Sequence, residues 1–130
     1  MSSAGIYCGL SVASFLNSCT SVKYMQATVD NKKLKVSRGE FGDSTFAVVR
    51  YEELPAPVYL NKLSESSYNA LLMHCTHKQC ELKPTGTFLT CPCHGSEFSN
   101  TGKVLKSPAE RNLISYLVTL DNENIYIHLN

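Results

Sequence analysis

Short stretches in which apolar and polar residues alternate run along most of the chain, and clusters of turn-forming residues separate them. After Cys19, no stretch keeps a helical period over ten or more residues. Such alternation is typical of strands that bury one face. The pattern predicts short strands, which read in chain order YMQATV, KLKVS, STFAVVRY, APVYLNKL, YNALLMH, GTFLTC, NLISYLVTL and NIYIHLN.

Polar residues mark the predicted turns between these strands. DNK at 30–32 joins the first two strands, SESS at 64–67 joins a central hairpin, and DNEN at 121–124 joins the last two strands. LPAPVY at 54–59 is predicted as a loop within one domain, because proline is poorly tolerated inside a central strand. Short strands at this spacing predict an all-β fold, either an antiparallel sandwich or a partly open barrel.

Length and charge narrow the class of protein. A chain of 130 residues suits one domain. Twelve basic and eleven acidic residues leave a formal charge of +1, and no basic patch stands out. These features argue against nucleic acid as a partner.

The N-terminal segment, residues 1–19, is small and apolar, and the first charge in the chain is Lys23. The segment is shorter than the roughly 20 apolar residues of a membrane-spanning helix and suits the core of a signal peptide. It ends in LNSC, which resembles a bacterial lipoprotein cleavage box in which Cys19 would be lipidated. An uncleaved membrane anchor and a buried N-terminal helix are the alternatives. On the export interpretation, residues 20–130 form the mature domain outside the cytoplasm, where disulfides are permitted.

Two boxes carry most of the candidate chemistry. CTHKQC at 75–80 and CPCHGS at 91–96 contain four of the six cysteines and two of the four histidines. Thiolate sulfur and imidazole nitrogen are ligands for zinc and for iron. One candidate ligand set, with two residues from each box, is Cys75, His77, Cys91 and His94.

Three interpretations of the boxes compete. The four residues could hold a tetrahedral zinc ion, or a two-iron, two-sulfur cluster with both histidines on one iron. Alternatively, the cysteines could form plain disulfides in an exported domain. Zinc leaves the second pair, Cys80 and Cys93, unexplained, and disulfides leave both histidines without a role. The cluster interpretation accounts for all six residues.

The boxes resemble those of the Rieske [2Fe-2S] family, specifically its high-potential, disulfide-containing branch, which carries C-T-H-x-x-C and C-P-C-H-G-S. The sequence KVLKSPAERNL at 103–113 is similar to that family's proline loop, which here would be about residues 107–110. The resemblance implies an all-β, Rieske-like sandwich or partly open barrel with a cluster-binding loop subdomain. It also implies the following roles: Cys75 and Cys91 bind one iron, His77 and His94 bind the other, and a Cys80–Cys93 disulfide braces the two loops.

The resemblance also implies how the cluster would be tuned. Neutral imidazoles in place of thiolates raise the reduction potential, into a range of roughly −150 to +300 mV. Ser96 matches a family serine that donates a hydrogen bond to a bridging sulfide. Phe98 stands where high-potential members often carry a tyrosine, so we expect a potential that is positive but lower than that of a tyrosine-bearing relative. Uptake of an electron should draw a proton to the imidazoles of His77 and His94, a combination that suits oxidation of a hydroquinone.

Four polar residues outside the candidate ligand set have interpretations of their own. Lys78 and Gln79 stand where quinol-oxidising members usually carry Leu-Gly. Lys78 is either a solvated loop residue or a docking charge for an acidic redox partner. His74 and His128 are predicted as strand residues and not as ligands.

The resemblance implies an electron carrier tethered to the bacterial cell membrane, with its domain facing the periplasm or the exterior. Its first implied role is the iron–sulfur subunit of a bc-type quinol–cytochrome c reductase-like complex, without catalysis of its own outside the complex. Cytochrome b, a c-type cytochrome and quinol would be its partners. The alternatives are a small subunit of a separate periplasmic oxidoreductase, such as a molybdenum enzyme, or a ferredoxin-type carrier for an oxygenase. Ferredoxin-type relatives lack the cysteine pair present here as Cys80 and Cys93.

Overall fold

A computed structural model describes residues 22–129. The predicted signal segment, residues 1–19, and the lipidation candidate Cys19 therefore lie outside the described residues. Within residues 22–129, the structure contains no helix with the length and apolar character that crossing a membrane requires.

The described chain is built almost entirely from short strands. One helical turn, α1, spans Arg38–Phe41. The strands in chain order are β1 (Tyr24–Gln26), β2 (Thr28–Asp30), β3 (Lys33–Ser37), β4 (Phe46–Arg50), β5 (Val58–Ser64), β6 (Ser67–Leu72), β7 (Lys83–Pro84), β8 (Phe88–Thr90), β9 (Glu97–Ser99), β10 (Val104–Lys106), β11 (Ser115–Tyr116), β12 (Val118–Leu120) and β13 (Asn124–His128).

The strands form three sheets, with orders β1-β4-β5-β6-β11, β12-β13-β3-β2 and β10-β9-β8-β7. The third sheet, together with both cysteine–histidine boxes, belongs to residues 74–113, which we call the loop subdomain. The other described residues form the base. The predicted all-β architecture with a separate loop subdomain is confirmed.

The first two sheets face each other across a sandwich core. Leu34, Val36, Ile125 and Ile127 alternate with polar residues on β3 and β13 and point into this core. The facing sheet contributes apolar side chains from its central strands, namely Ala47, Val49, Val58, Leu60 and Ala70.

The central strands of the five-stranded sheet, β4, β5 and β6, are buried on both faces along much of their length. Residues that alternate with those of the sandwich core, Val48, Tyr59 and Leu71, pack into a second core shared with the loop subdomain. We call this second cluster the junction core. Burial on both faces explains why β4, β5 and β6 carry nearly continuous apolar runs.

A row of side-chain hydrogen bonds also joins the base to the loop subdomain. The hydroxyl of Tyr59 donates to Oδ1 of Asn61 over 3.4 Å, and Nδ2 of Asn61 donates to Oδ1 of Asn69 over 2.9 Å. Nδ2 of Asn69 donates to the backbone oxygen of Asn100 over 2.9 Å. Burial raises the pKa of Tyr59 to about 12, so its hydroxyl keeps the proton that it donates.

The strand prediction is confirmed in the base wherever one pair of strands forms a simple hairpin. KLKVS is β3 with the predicted bounds, and SESS and DNEN lie at the turns of the β5–β6 and β12–β13 hairpins. Two predicted strands are wrong. YMQATV breaks at Ala27 into β1 and β2, and NLISYLVTL breaks at Leu117 into β11 and β12. In each case the chain passes from one sheet to another at the break.

One pairing departs from the predicted antiparallel pattern, because β1 pairs with β4 in parallel. The helix α1 was not predicted either. Its N-cap is Ser37, whose side chain accepts a hydrogen bond from the backbone N–H of Glu40, and Gly42 follows its end with φ of 62°. A helix of four residues has too few positions to show a helical period.

Gly102 lies where the loop subdomain rests on the base. Its φ is 95°, and a Cβ atom built on it would lie 2.9 Å from Cδ2 of the buried Leu71. Its carbonyl also accepts a hydrogen bond of 2.9 Å from the backbone N–H of Leu113. The turn between β9 and β10 can therefore approach β6 only without a side chain at this position.

We predict that Gly102→Ala lowers the free energy of unfolding by more than Gly86→Ala does. Gly86 has a similar φ of 100°, but a Cβ there would meet nothing within 4 Å. The control variant thus carries the backbone strain alone, and the contact with Leu71 should add about 1–3 kcal/mol. Denaturant unfolding of the two variants and the parent measures the difference, and equal losses would contradict this account.

Candidate metal centre

The two boxes share one backbone arrangement. In the first box, the N–H of Cys75 donates to the oxygen of Cys80, and the N–H of Gln79 donates back to the oxygen of Cys75, both over 2.8 Å. In the second box, Cys91 donates to Ser96 over 2.8 Å, and Gly95 donates to Cys91 over 2.9 Å. Each box is therefore a six-residue loop closed by two backbone hydrogen bonds.

Equivalent positions in the two loops adopt left-handed backbone conformations. Gly95 has φ of 85°, and Gln79 has φ of 66°. Glycine takes this conformation without a steric cost, whereas a residue with a Cβ is destabilised by roughly 1 kcal/mol or more. The first loop thus holds Gln79 in a conformation that the second loop leaves to glycine.

The structure places the four predicted ligands as two pairs, one of buried thiols and one of more exposed imidazoles. Cys75 and Cys91 are free thiols in the junction core, with exposed fractions of 0% and 2%. His77 is half-buried and His94 is exposed, and their rings lie edge to face with centroids 5.1 Å apart. Two soft sulfur donors therefore lie inside, with two imidazoles side by side nearer the surface.

Nδ1 of His77 is buried and has no hydrogen-bond partner among residues 22–129. Leaving a buried polar atom unpaired costs about 1–3 kcal/mol, so such atoms in native proteins usually have a specific partner. A metal ion is one partner that would satisfy this nitrogen. The donor set of two thiols and two imidazoles fits a mixed-ligand iron–sulfur cluster.

Hydrogen bonds around Cys75 favour its thiolate form. Burial raises the pKa of this thiol, but backbone hydrogen bonds from His77 and Lys78 lower it. Side-chain hydrogen bonds from Cys91 and Ser96 lower it further, and the net result is a pKa below the ordinary value. Thiolate is the form that binds metals.

Cys80 and Cys93 form a disulfide, which confirms the pairing that the family resemblance implied. Their Cα atoms are 6.5 Å apart, and the bond links residues separated by 13 positions, one in each box. The sulfur of Cys91 lies within 4.8 Å of both disulfide sulfurs. The disulfide thus braces the two loops directly beside a candidate ligand and leaves Cys75 and Cys91 unpaired.

Ser96 and Phe98, the predicted tuning residues, are both fully buried. Oγ of Ser96 accepts a hydrogen bond of 2.9 Å from the backbone N–H of Ala109, which leaves its own hydrogen for another acceptor. Phe98 packs in the junction core with Cys75 and Cys91. A hydroxyl at position 98 would therefore lie in the same core as the two thiols.

The loop at residues 107–112 is hydrogen-bonded to both boxes. It begins with a cis peptide bond between Ser107 and Pro108. Beyond Ala109, it reaches the first box through Arg111 and Thr76, which exchange two hydrogen bonds. Sequence reasoning missed Thr76 and Arg111, because nothing in the local pattern relates residues 35 positions apart.

His128 lies in a strand, as predicted, whereas His74 lies beyond the end of β6 and outside the named strands. His74 forms an isolated antiparallel bridge with Glu81, which closes the base of the first box. His128 lies in β13, and its Nε2 is 2.8 Å from Oγ1 of Thr119. Lys78 is exposed at the tip of the first loop.

An all-β base that carries two disulfide-braced loops, with two thiols and two imidazoles on those loops, is the arrangement expected of an iron–sulfur protein with mixed ligands. The chain belongs to the Rieske [2Fe-2S] domain family, which residues 21–117 match. The expectation drawn from the two boxes is therefore confirmed, and membership of this family implies a [2Fe-2S] cluster and electron transfer.

Known relatives show where such domains occur. The chain is 32% identical over 114 residues to the cytochrome b6-f complex iron-sulfur subunit of Trichodesmium erythraeum (strain IMS101), covering 86% of this chain and 58% of that protein. It is 29% identical over 92 residues to the same subunit of Synechococcus sp. (strain CC9605), covering 69% and 46%. The chain thus spans about half the length of the curated relatives it matches.

A solved structure agrees with the fold. The cyanobacterial plasma membrane Rieske protein PetC3 from Synechocystis PCC 6803 superposes with a TM-score of 0.59 at 29% sequence identity. The match covers 70% of this chain and 93% of that protein.

Proposed function

We propose that this protein carries single electrons through a [2Fe-2S] cluster held by Cys75, His77, Cys91 and His94, as a subunit of a membrane-bound quinol–cytochrome c reductase-like complex. The observation that carries the proposal is the buried, unpartnered Nδ1 of His77, which lies in one site with His94 and two free buried thiols. Family membership supplies the kind of cofactor.

The residues around the site have distinct roles in this proposal. When bound, the cluster supplies a one-electron couple whose potential depends on ligand charge and on hydrogen bonds to sulfur. Cys75 and Cys91 provide the thiolates in the dry interior. His77 and His94 provide neutral ligands nearer the surface, where a partner can approach. Ser96, held by Ala109, donates its hydroxyl hydrogen toward the sulfurs.

The relatives support the proposed setting. Subunits of cytochrome b6-f complexes and a plasma membrane Rieske protein are similar to this chain. We therefore place the domain, residues 20–130, at the bacterial cell membrane on the periplasmic or exterior side, with residues 1–19 as an export signal or anchor. A quinol would donate the electron, and cytochrome b and a c-type cytochrome would be the protein partners.

The ligand set predicts a specific response to substitution. After reduction with dithionite, the parent protein should give the EPR signal of a cluster with mixed histidine and cysteine ligation. His77→Ala and Cys91→Ala should each abolish that signal, because each removes a ligand. His74→Ala is the matched control, since His74 lies one residue before the first box and bridges Glu81.

Metal and sulfide analysis of the same samples completes this experiment. The parent and the His74→Ala variant should both contain two iron atoms and two sulfides per chain, the content of the cluster. A parent protein that is silent in EPR and contains stoichiometric zinc would overturn the proposed function. Retention of the signal in His77→Ala would overturn the ligand assignment.

Phe98 generates a prediction about the potential. Phe98→Tyr should raise the midpoint potential, because the added hydroxyl can donate to a sulfur in the same buried core. A hydrogen bond contributes about 0.5–1.5 kcal/mol, which corresponds to about 20–60 mV for one electron. Protein-film voltammetry measures the shift, and Phe98→Leu controls for the repacked ring. A potential unchanged from the parent would reject the hydrogen-bond account.

The charge distribution supports a docking role for Lys78. The loop subdomain, residues 74–113, carries five basic and three acidic residues, whereas the rest of the chain carries seven basic and eight acidic residues. The loop subdomain that holds the site therefore carries a net positive charge, and Lys78 is exposed in its first loop. Such a surface favours a partner with an acidic face.

We predict that Lys78→Glu slows electron transfer to an acidic c-type cytochrome by about threefold or more at low ionic strength. The difference should shrink as salt screens the charges. Lys32→Glu is the matched control, because Lys32 is exposed on the β2–β3 turn of the base. Stopped-flow kinetics over a range of salt concentrations provide the measurement. Equal effects of the two substitutions would count against docking at the first loop.

A further inference from the structure

We infer that Arg111 is a positioning residue that holds the loop at 107–112 against the first box and adds a fixed positive charge beside it. This inference deepens the proposed function and rests on it for the role of the charge. The guanidinium Nη2 of Arg111 donates to the backbone oxygen of Thr76 over 2.9 Å. The hydroxyl of Thr76 donates to the backbone oxygen of Arg111 over 2.7 Å.

The position of Thr76 makes this pair specific to the site. Thr76 stands between the candidate ligands Cys75 and His77, and Arg111 engages both its side chain and its carbonyl. A change in the Thr76 backbone therefore alters the direction of a ligand on either side. Two reciprocal hydrogen bonds restrict that backbone more than one would, because they fix two atoms of the same residue.

The same loop is attached to the second box by a different residue. The N–H of Ala109 donates to Oγ of Ser96 in the second box. The side chain of Asn112 accepts from the N–H of Val104 in β10 over 3.1 Å, which ties the loop to the neighbouring strand. Among the hydrogen bonds of residues 22–129, the Thr76–Arg111 pair is what joins this loop to residues 75–80. The loop thus contacts both boxes, and Arg111 provides its connection to the first.

The charge of Arg111 acts in addition to its hydrogen bonds. A guanidinium stays protonated at any physiological pH, and here its position is fixed by the bond to the Thr76 carbonyl. Gaining an electron makes the site more negative, so a nearby positive charge stabilises the reduced form. Arg111 is exposed, and salt should therefore weaken this contribution.

Three substitutions separate the charge from the hydrogen bonds. Arg111→Gln removes the charge but keeps N–H donors, and Arg111→Lys keeps the charge but loses the planar donor group. Thr76→Val removes the hydroxyl donor and keeps the branched shape. Lys106→Gln is the matched control, because it removes an exposed positive charge near the same loop, and within residues 22–129 the Lys106 side chain forms no hydrogen bond with the first box.

Hydrogen exchange of the Ala109 amide reports whether the loop is held. This amide is buried and bonded to Ser96, so it exchanges only when the loop opens. On the full chain as purified, Thr76→Val should speed its exchange about tenfold, and Lys106→Gln should leave it unchanged. This readout does not depend on which metal the boxes hold, so it can succeed even if the proposed function fails.

The midpoint potential of the site measures the effect of the Arg111 charge. Arg111→Gln should lower the equilibrium constant for reduction about threefold, equivalent to about 30 mV for one electron. Arg111→Lys and Lys106→Gln should change the midpoint potential much less. Unchanged Ala109 exchange in both Thr76→Val and Arg111→Lys would overturn the positioning role. A fall in potential no larger than that of Lys106→Gln would overturn the role of the charge.

Discussion

One covalent bond, between Cys80 and Cys93, determines how the candidate ligands can meet. The ligands come from two six-residue loops, and loops of that size bury too little apolar surface to hold a fixed geometry alone. Backbone hydrogen bonds close each loop on itself, but they do not join one loop to the other. The disulfide provides a covalent connection, beside the side-chain hydrogen bonds of Cys75 with Cys91 and Ser96. Its restriction of the unfolded chain contributes about 2–4 kcal/mol in proteins generally.

The junction core supplies the rigid support on which the braced loops rest. It contains both free thiols together with residues from β4, β5 and β6. The same strands build the sandwich core on their other face. Movement of the thiols would therefore disturb packing on both sides of the sheet. A redox site gains from this rigidity, because little reorganisation then accompanies the transfer of an electron.

Much of the site could be predicted from the sequence, because its residues lie in two short boxes with a specific spacing. Strand β3 could be predicted equally well, since Leu34 and Val36 alternate strictly with lysines. The breaks at Ala27 and Leu117 could not be predicted, because they depend on where the chain passes between sheets. The hydrogen bonds between Thr76 and Arg111 could not be predicted from the local sequence pattern either. They form only after the chain has folded, and neither residue type is distinctive by itself.

Burial of the central strands of the five-stranded sheet on both faces has a consequence for how the sequence of such a chain can diverge. Val58, Tyr59, Leu60 and Asn61 are consecutive and all at least 95% buried, so β5 offers no side chain to solvent over this stretch. In most surface strands, every second residue faces solvent and can be substituted at little cost in stability. Neither face of this stretch of β5 has such positions. Substitutions that leave stability unchanged are therefore expected in the sheet β12-β13-β3-β2 and at the loop tips. New partners can thus be acquired by exchanging tip residues while the strands beneath keep their sequence character.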